Sequence, residues 1–332
     1  MRKFTKLWMF ALIFCASAVV YAGGGKDTGG SSKPAAPKSY LMATSTATGS
    51  YYSFGSVMSQ VISSHTGINL TVTSTGGSIE NARLLGSNEN EFALIQTDVN
   101  HYALSGTELF AGKPIKNFSA ITAIYPEMVQ IVVTKASGIK NVTDMKGKKV
   151  CVGAAGSGYE VAARQVLATY GMNYDDVDER FLAPAEAKNA LQDGQIDAFF
   201  LCSGYPNANV TELSLTGKIE VVTIDAEHLQ KMVAAYPFYS AYTTPDDQYN
   251  LGHSVTSVSV IAMFAVRNDI PEDEVYAITK AIYDNIEELR KLNSRANYVT
   301  LEGAFRGING NVHPGAARFY KEKGLAVPAN NL

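Results

Sequence analysis

The sequence has 332 residues, of which 28 are Lys or Arg and 31 are Asp or Glu, so its formal net charge is −3. Hydrophobic residues make up 46% of the chain and charged residues 18%, which is typical of a folded globular protein. These values exclude a disordered chain, a coiled coil and a small disulfide-stapled protein, and they give no indication of nucleic-acid binding.

The N-terminus has the pattern of a secretory signal. Three Lys or Arg residues precede an apolar run over residues 7–20, which is shorter than the roughly 20 residues that a membrane-spanning helix needs. Small residues follow, and cleavage after Ala22 would make residues 1–22 a signal peptide and the protein periplasmic. Cys15 leaves a lipid anchor open as an alternative, although a large residue precedes it.

After the signal, the sequence predicts a linker and then alternating strands and helices. Residues 23–38 are rich in Gly, Ser and Pro and predict a flexible linker. The alternation that follows predicts an α/β protein built from βα units around largely parallel sheets, arranged either as consecutive domains or as two lobes crossed twice by the chain. The predicted strands are 40–45, 68–74, 92–96, 120–125, 130–134, 149–153, 196–201 and 255–266, and the predicted helices are 53–64, 78–85, 159–170, 184–192 and 272–292.

Four loops rich in Gly and hydroxyl-bearing residues follow predicted strands, at residues 48–52, 74–78, 153–158 and 202–206. In open α/β sheets, ligands bind at the carboxyl ends of strands, where such loops lie. Three of these loops lead into helices, whose first N–H groups and dipole attract carboxylates and phosphates. Each loop alone is a common turn, but together they predict an anion-binding cleft.

No pattern typical of catalysis or metal binding is found. The glycines of the third loop run G-x-x-G-x-G, which is not the dinucleotide fingerprint, and Ser157 lies in G-S-G rather than in a nucleophile elbow. The five His residues are scattered, without H-E-x-x-H or C-x-x-C. We therefore expect a protein that is not an enzyme and that uses no cofactor or metal; an exported hydrolase is the alternative from another class.

Several other residues have ordinary structural interpretations. Cys151 and Cys202 lie in apolar strand-like runs and are expected to be buried free thiols. Glu160 and Arg164 are four residues apart on a predicted helix, which predicts a surface ion pair, and the same applies to Arg83 with Glu80.

The loop sequences resemble those of a known family. The matching stretches are TATGSYYSFGSVMSQVI, STGGSIENARLL, EFALIQTDV, AIYPEMVQIVV and DMKGKKVCVGAAGSGYEVAARQVLATYGM. In order and spacing they resemble the TAXI family, the substrate-binding subunits of TRAP (tripartite ATP-independent periplasmic) transporters. The similarity runs from about Tyr40 to the C-terminal helices.

This resemblance implies a two-lobed periplasmic-binding-protein fold that closes on its ligand. Residues 39–128 and 252–332 would form a discontinuous lobe one, and residues 129–251 would form lobe two, with the cleft at the hinge. The family binds small carboxylates, including glutamate-like amino acids and 2-oxo acids, and passes them to a membrane permease driven by an ion gradient. We expect a monomer with no nucleic-acid partner; a receptor for an ATP-driven importer or a sensor is the alternative with the same fold.

The resemblance also implies which positions contact the ligand. No residue matches the ligand-clamping arginine of the other large class of TRAP receptors, so backbone N–H groups and hydroxyls are expected to hold the carboxylate, with Arg83 as an outside candidate. Ser50 stands where the family often has Thr, which leaves the shape of the pocket open. The implied ligand-binding residues are Gly49, Ser50, Tyr51, Tyr52, Thr75, Gly76, Gly77, Ser78, Asn81, Gln96 and Asp98 in lobe one, Glu127 at the hinge, and Gly156, Ser157, Gly158, Tyr205 and Pro206 in lobe two.

Overall fold

The computed structural model describes residues 38–155 and 157–328. The predicted signal peptide, Cys15 and most of the predicted linker therefore lie outside the described residues. Lys38, the last residue assigned to the linker, instead begins the first strand. Within the described residues, no helix has both the length and the apolar character needed to cross a membrane.

The described chain alternates strands and helices, as the sequence predicts. The strands are β1 Lys38–Ala43, β2 Ile68–Thr73, β3 Phe92–Gln96, β4 Phe118–Thr134, β5 Lys149–Cys151, β6 Asp178–Arg180, β7 Ala198–Ser203, β8 Ile219–Val221, β9 Ser240–Thr243 and β10 Thr256–Arg267. The helices are α1 Ser50–Thr66, α2 Ser78–Gly86, α3 Thr97–Ser105, α4 Gly158–Thr169, α5 Pro184–Gln192, α6 Ala208–Ser214, α7 Ala226–Ala235, α8 Glu272–Asp284, α9 Ile286–Leu292 and α10 Pro314–Glu322.

The strands form a central sheet with the order β2-β1-β3-β10-β4-β7-β5-β6, and β8 and β9 pair with β4 and β10. At its two ends, neighbouring strands are parallel, β1 with β2 and β3, and β5 with β6 and β7. In the middle, β10 is antiparallel to β3 and β4, and β4 is antiparallel to β7. The α/β fold class is thus confirmed, with a sheet that is parallel at its ends and antiparallel at its centre.

Strand β4 joins the two ends of the sheet. The prediction of separate strands at 120–125 and 130–134 was wrong, because β4 runs without a break through both. Pro126 has no N–H to give to a ladder, but it pairs with Ile261 of β10 beside a register shift, where the ladder tolerates a missing donor. The first part of β4 pairs with β10 and the last part with β7, and Met128 pairs with both.

The predicted helix over residues 272–292 was also wrong in its continuity. The helix stops at Asp284 and restarts at Ile286, with Asn285 between the two in a non-helical conformation. The Asn285 side chain donates a 2.9 Å hydrogen bond to the carbonyl of Ala281. The backbone N–H of Asn285 also donates to this carbonyl, at 3.2 Å, so the helical hydrogen bond is kept and the break lies in the backbone conformation of Asn285, a residue with low helix propensity.

Local predictions about α4 and the cysteines are confirmed. Val161, Val166 and Leu167 of α4 are buried together against the sheet, as the helical spacing predicts. Cys151 and Cys202 are buried free thiols. The contacts of these three residues hold α4 against the sheet.

Of the two predicted surface ion pairs, one is confirmed and one is wrong. Arg164 lies 3.4 Å from Glu160 on the next turn and 2.7 Å from Glu108. Arg83, in contrast, donates to the carbonyl of Leu109, 3.2 Å away. The Glu80 carboxylate instead accepts from the N–H of Gly76 at 2.6 Å.

Candidate functional site

A small polar cavity lies where β4 passes from one end of the sheet to the other. Its volume is about 20 Å³, which is space for about one water molecule. Among the described residues, Glu127 is the one with a carboxyl or cationic side chain that lines it. The residues that line it are Ser45, Ser50, Tyr51, Gly76, Gly77, Ser78, Gln96, Glu127, Ser157, Gly158 and Tyr159.

Three helices begin at this cavity. Ser50, Ser78 and Gly158 are the first residues of α1, α2 and α4, and all three line it. The first N–H groups of a helix have no acceptor within the helix, and the helix dipole places partial positive charge there. The walls of the cavity therefore offer hydrogen-bond donors and a positive potential, the features that bind an anionic group.

Glycines place two of these helix starts. Gly77, directly before α2, has φ of 111°, a conformation that other residues rarely adopt. Gly49, directly before α1, packs so closely that a Cβ atom would lie 2.2 Å from the hydroxyl of Ser45. The Ser45 hydroxyl in turn accepts from the N–H of Tyr52 at 3.3 Å. The Gly-Ser loops of the sequence thus bring helix N-termini close to the ends of the strands.

Glu127 is the ionisable group of the cavity. Its side chain is buried, and one carboxyl oxygen accepts a 2.6 Å hydrogen bond from the hydroxyl of Tyr51. The pKa of Glu127 is raised to about 8, mainly by burial and with a smaller contribution from the nearby Asp98, against the lowering effect of the Tyr51 hydrogen bond. At pH 7 this carboxyl is therefore mostly protonated in the ligand-free protein.

Gln96 presents a second acceptor to the cavity. Its side-chain oxygen is buried and has no hydrogen-bond partner among the described residues, whereas its amide nitrogen donates to Cys202 Sγ at 3.2 Å. The oxygen lies against Gly158, where a Cβ atom would be only 2.2 Å away. A buried acceptor without a donor carries a desolvation cost, which a ligand N–H would remove.

The structure brings together nine of the positions implied by the resemblance. At the starts of α1 and α2 these are Ser50, Tyr51, Gly76, Gly77 and Ser78. From β3, β4 and the start of α4 they are Gln96, Glu127, Ser157 and Gly158. Ser157 caps α4 with its hydroxyl, which accepts from the N–H of Glu160 at 3.3 Å, and its own N–H donates to the carbonyl of Ala154.

Other implied positions in the first half of the chain do not line the cavity. Gly49, Tyr52 and Thr75 stand directly beside lining residues. Asn81 has a structural environment: its amide donates to the carbonyls of Thr44 and Leu94, at 2.6 and 2.7 Å.

Asp98 lies in the first turn of α3 and not at a strand end, because the chain turns into a helix directly after Gln96. It is buried, and one of its carboxyl oxygens has no partner among the described residues. Burial raises the pKa of Asp98 to about 7, against hydrogen bonds from backbone N–H groups that lower it.

Three of the implied positions that the resemblance assigns to lobe two remain, namely Gly156, Tyr205 and Pro206. Tyr205 and Pro206 do not line the cavity; the Tyr205 hydroxyl donates to the carbonyl of Asp246 at 2.7 Å, which holds its ring away from the site. Gly156 lies outside the described residues.

Two lining residues were missed by sequence reasoning. Ser45 follows β1, and Tyr159 is the second residue of α4. Both are next to loops that the sequence singles out, so their proximity to predicted positions was an available signal. In the described part of the chain, no three His, Cys, Asp or Glu side chains are placed to hold a metal ion.

Comparison with known proteins shows the family and the fold. The model of the NMT1-like family matches residues 42–324. Over 83 residues the chain is 34% identical to an Escherichia coli (strain K12) protein named for the binding of aliphatic sulfonates; this stretch is 25% of the chain and spans 26% of that relative's length.

Two solved structures with 12–18% identity share the fold. PhnD1 from Prochlorococcus marinus (MIT 9301), in complex with methylphosphonate, superposes with a TM-score of 0.54 and 12% identity, covering 79% of this chain and 90% of that one. A Bordetella bronchiseptica RB50 protein gives a TM-score of 0.52 with 18% identity, covering 86% and 80%. The central sheet with flanking helices is that of the periplasmic binding proteins, and the chain belongs to the NMT1-like family.

Proposed function

We propose that this protein is an extracytoplasmic solute receptor that binds a small zwitterionic acid, an amino acid of the glutamate type, in the cavity around Glu127. The observation that carries this proposal is a buried carboxyl facing three helix N-termini in one cavity. The lobes would be residues 39–128 with 252–332, and residues 129–251, and they would part to admit the ligand.

The two kinds of group in the cavity match the two ends of an amino acid. An ammonium group donates hydrogen bonds, and Glu127 and the unpartnered oxygen of Gln96 accept them. A carboxylate accepts hydrogen bonds, and the first N–H groups of α1, α2 and α4 with the hydroxyls of Ser50 and Ser157 donate them. No reaction follows from this arrangement.

Glu127 also favours an amino acid over a 2-oxo acid. A 2-oxo acid has a carbonyl oxygen where the amino acid has its ammonium group, so it would place an acceptor against a carboxylate. That contact is repulsive when Glu127 is ionised, whereas an ammonium group stabilises the ionised form and so favours loss of its proton on binding. The preference for the amino acid should therefore increase as the pH rises through about 8. The described lining residues include no Lys or Arg that would offset the repulsion.

A sulfonate receptor is the second candidate, favoured by the relative named for aliphatic sulfonates. A sulfonate has three acceptor oxygens and suits the helix N-termini as well as a carboxylate does. An alkanesulfonate, however, has no donor for Glu127 and Gln96, whereas an aminosulfonate such as taurine has one.

Isothermal titration calorimetry with matched ligand pairs tests the proposal. The protein is unfolded, dialysed and refolded to remove any ligand that copurifies, and is then titrated with L-glutamate and 2-oxoglutarate, and with taurine and ethanesulfonate. We expect L-glutamate or taurine, the ligands with an amino group, to bind. The matching ligand without an amino group should bind at least about tenfold more weakly, a difference in binding free energy of about 1.4 kcal/mol. Tight binding of ethanesulfonate with none of L-glutamate would favour the second candidate.

The partner is proposed to be a TRAP permease. This rests on the resemblance of the loop stretches, from TATGSYY to GAAGSGYE, to the TAXI receptors. Uptake of the identified ligand into cells should stop when the ion gradient across the membrane is collapsed while ATP is maintained. Uptake that follows ATP instead would indicate an ATP-driven importer with the same type of receptor.

A further inference from the structure

Arg295 lies behind the cavity, between two segments that are far apart in sequence. It belongs to the short 3-10 helix Ser294–Tyr298. Its Nη2 donates a 2.7 Å hydrogen bond to the carbonyl of Pro206, in the turn after β7. The guanidinium carbon lies 5.7 Å from the centre of the Tyr125 ring on β4, within the range of a cation–π interaction.

The turn after β7 leaves space for this arginine. A Cβ atom at Gly204 would lie 2.5 Å from Arg295 Nε and 3.2 Å from a ring carbon of Tyr125. A larger residue at Gly204 would therefore push the guanidinium away from the ring. The glycine lets Arg295, Tyr125 and the turn pack together.

This packing reaches Glu127 through β4. Tyr125 and Glu127 are two residues apart on the strand, so their side chains point to the same face. The hydroxyl of Tyr125 and Nε of Arg295 are both buried without a partner in the described part of the chain, so no neighbouring acceptor neutralises this side of the arginine.

The charged and titratable groups around Glu127 include one cation. They lie on α1, α3, α4, β4, β7 and the 3-10 helix at 294–298. In the same order, they are Tyr51, Asp98, Tyr159, Tyr125, Cys202 and Arg295. Burial is the main cause of the raised pKa of Glu127, and Arg295 acts against it.

We propose that Arg295 is a positioning residue for Glu127: it fixes the turn at Gly204–Pro206 against β4 and holds a positive charge beside the Glu127 carboxylate. The positive charge lowers the free-energy cost of ionising Glu127 in the closed cavity. The contacts of Arg295 with Pro206 and Tyr125 keep β4 in place while the cavity walls close. The importance of Arg295 for ligand binding rests on the proposed function, whereas its effect on Glu127 does not.

Carbon-13 NMR of ligand-free protein with ¹³C-labelled glutamate carboxyls tests this pairing. The Glu127 signal is assigned by its loss in Glu127→Gln, and its titration is followed in the wild type, Arg295→Gln and Arg295→Lys. We expect a midpoint near 8 in the wild type. It should rise in Arg295→Gln and stay near the wild-type value in Arg295→Lys, which keeps the charge.

A purely structural role for Arg295 predicts a different outcome. In that case Arg295→Gln and Arg295→Lys would both lower the melting temperature and leave the Glu127 midpoint unchanged, which would overturn the proposal. If Arg295→Gln does not fold, Gly204→Ala displaces the guanidinium without removing it and should raise the midpoint in the same direction.

The titration also separates this inference from the proposed function. If the Glu127 midpoint shifts in Arg295→Gln but the protein binds no amino acid, the inference about Arg295 is supported and the proposed ligand is wrong. Conversely, if the Glu127 midpoint is unchanged in Arg295→Gln and the protein binds L-glutamate, only the inference about Arg295 is wrong.

Discussion

The side chain of Gln165 on α4 donates a 2.7 Å hydrogen bond to the hydroxyl of Tyr102 on α3. The oxygen of the same amide accepts a 2.9 Å hydrogen bond from Tyr239, and all three side chains are buried. Both helices begin near the cavity, α3 directly after Gln96 and α4 at Gly158. Gln165 therefore joins, about two turns from the site, the two helices whose first turns lie beside the cavity.

Replacing Gln165 by Leu should destabilise the protein. The substitution leaves the buried hydroxyls of Tyr102 and Tyr239 without this partner, and each such loss costs about 1–3 kcal/mol. We expect the free energy of unfolding, measured by urea denaturation, to fall by about 2–4 kcal/mol. The control is Gln192→Leu at an exposed position, which should stay within about 0.5 kcal/mol of the wild type. Equal stabilities for the two variants would contradict the prediction.

Replacing Tyr51 by Phe should weaken binding. The change removes the 2.6 Å hydrogen bond that stabilises ionised Glu127, the form that an ammonium group binds, and a hydrogen bond to a charged group contributes about 1.5–3 kcal/mol. We expect the affinity for L-glutamate, measured by calorimetry, to fall at least about tenfold. Tyr52→Phe is the matched control, since its neighbouring ring does not line the cavity, and its affinity should be unchanged.

A methyl group at Gly158 should obstruct the site without unfolding α4. In Gly158→Ala the new Cβ would meet the oxygen of Gln96 at 2.2 Å, so the walls could not approach as closely. The affinity for L-glutamate should fall by about tenfold or more, while the helical circular dichroism is retained. Gly171→Asn, after the end of α4, meets open space in a left-handed conformation that Asn tolerates, and it should bind like the wild type.

The stability of the ligand-free protein should decrease as the pH rises through neutrality. Burial raises the pKa of Glu127 to about 8 and that of Asp98 to about 7, above the ordinary values of carboxyl groups. The folded chain therefore holds protons that the unfolded chain releases, so this contribution is complete at acidic pH and is lost as the pH passes about 7–8.

Melting temperatures measured between about pH 5 and pH 8.5 check this prediction. They should fall across that range, and Glu127→Gln, which stays neutral, should reduce the fall. Glu302→Gln, at an exposed position, serves as the control and should keep the wild-type slope. A melting temperature that rises with pH in the wild type would show that these carboxyls are not protonated in the fold.

Local patterns predicted the helix starts well, because the signals for them are short in sequence. Gly and Ser before Ser50, Ser78 and Gly158 mark helix N-termini, and their place after strands puts them at one edge of a sheet. The fold class and seven of the cavity residues could thus be anticipated from these loops, whereas Gln96 and Glu127 were implied only by the family resemblance.

Features that depend on distant contacts could not be predicted. The continuity of β4 through Pro126 depends on an irregular pairing with β10. Tyr205 points away from the cavity because Asp246, which is 41 residues later, accepts its hydroxyl. In each case the contacting residue is distant in sequence, so a local sequence pattern does not indicate it.

The cavity of about 20 Å³ has a kinetic consequence. A glutamate-sized solute cannot diffuse into a hole that holds one water molecule, so the receptor must first separate its walls. Capture is then limited by the frequency of that opening. In stopped-flow experiments, the observed rate should level off at high solute concentration instead of increasing in proportion to it.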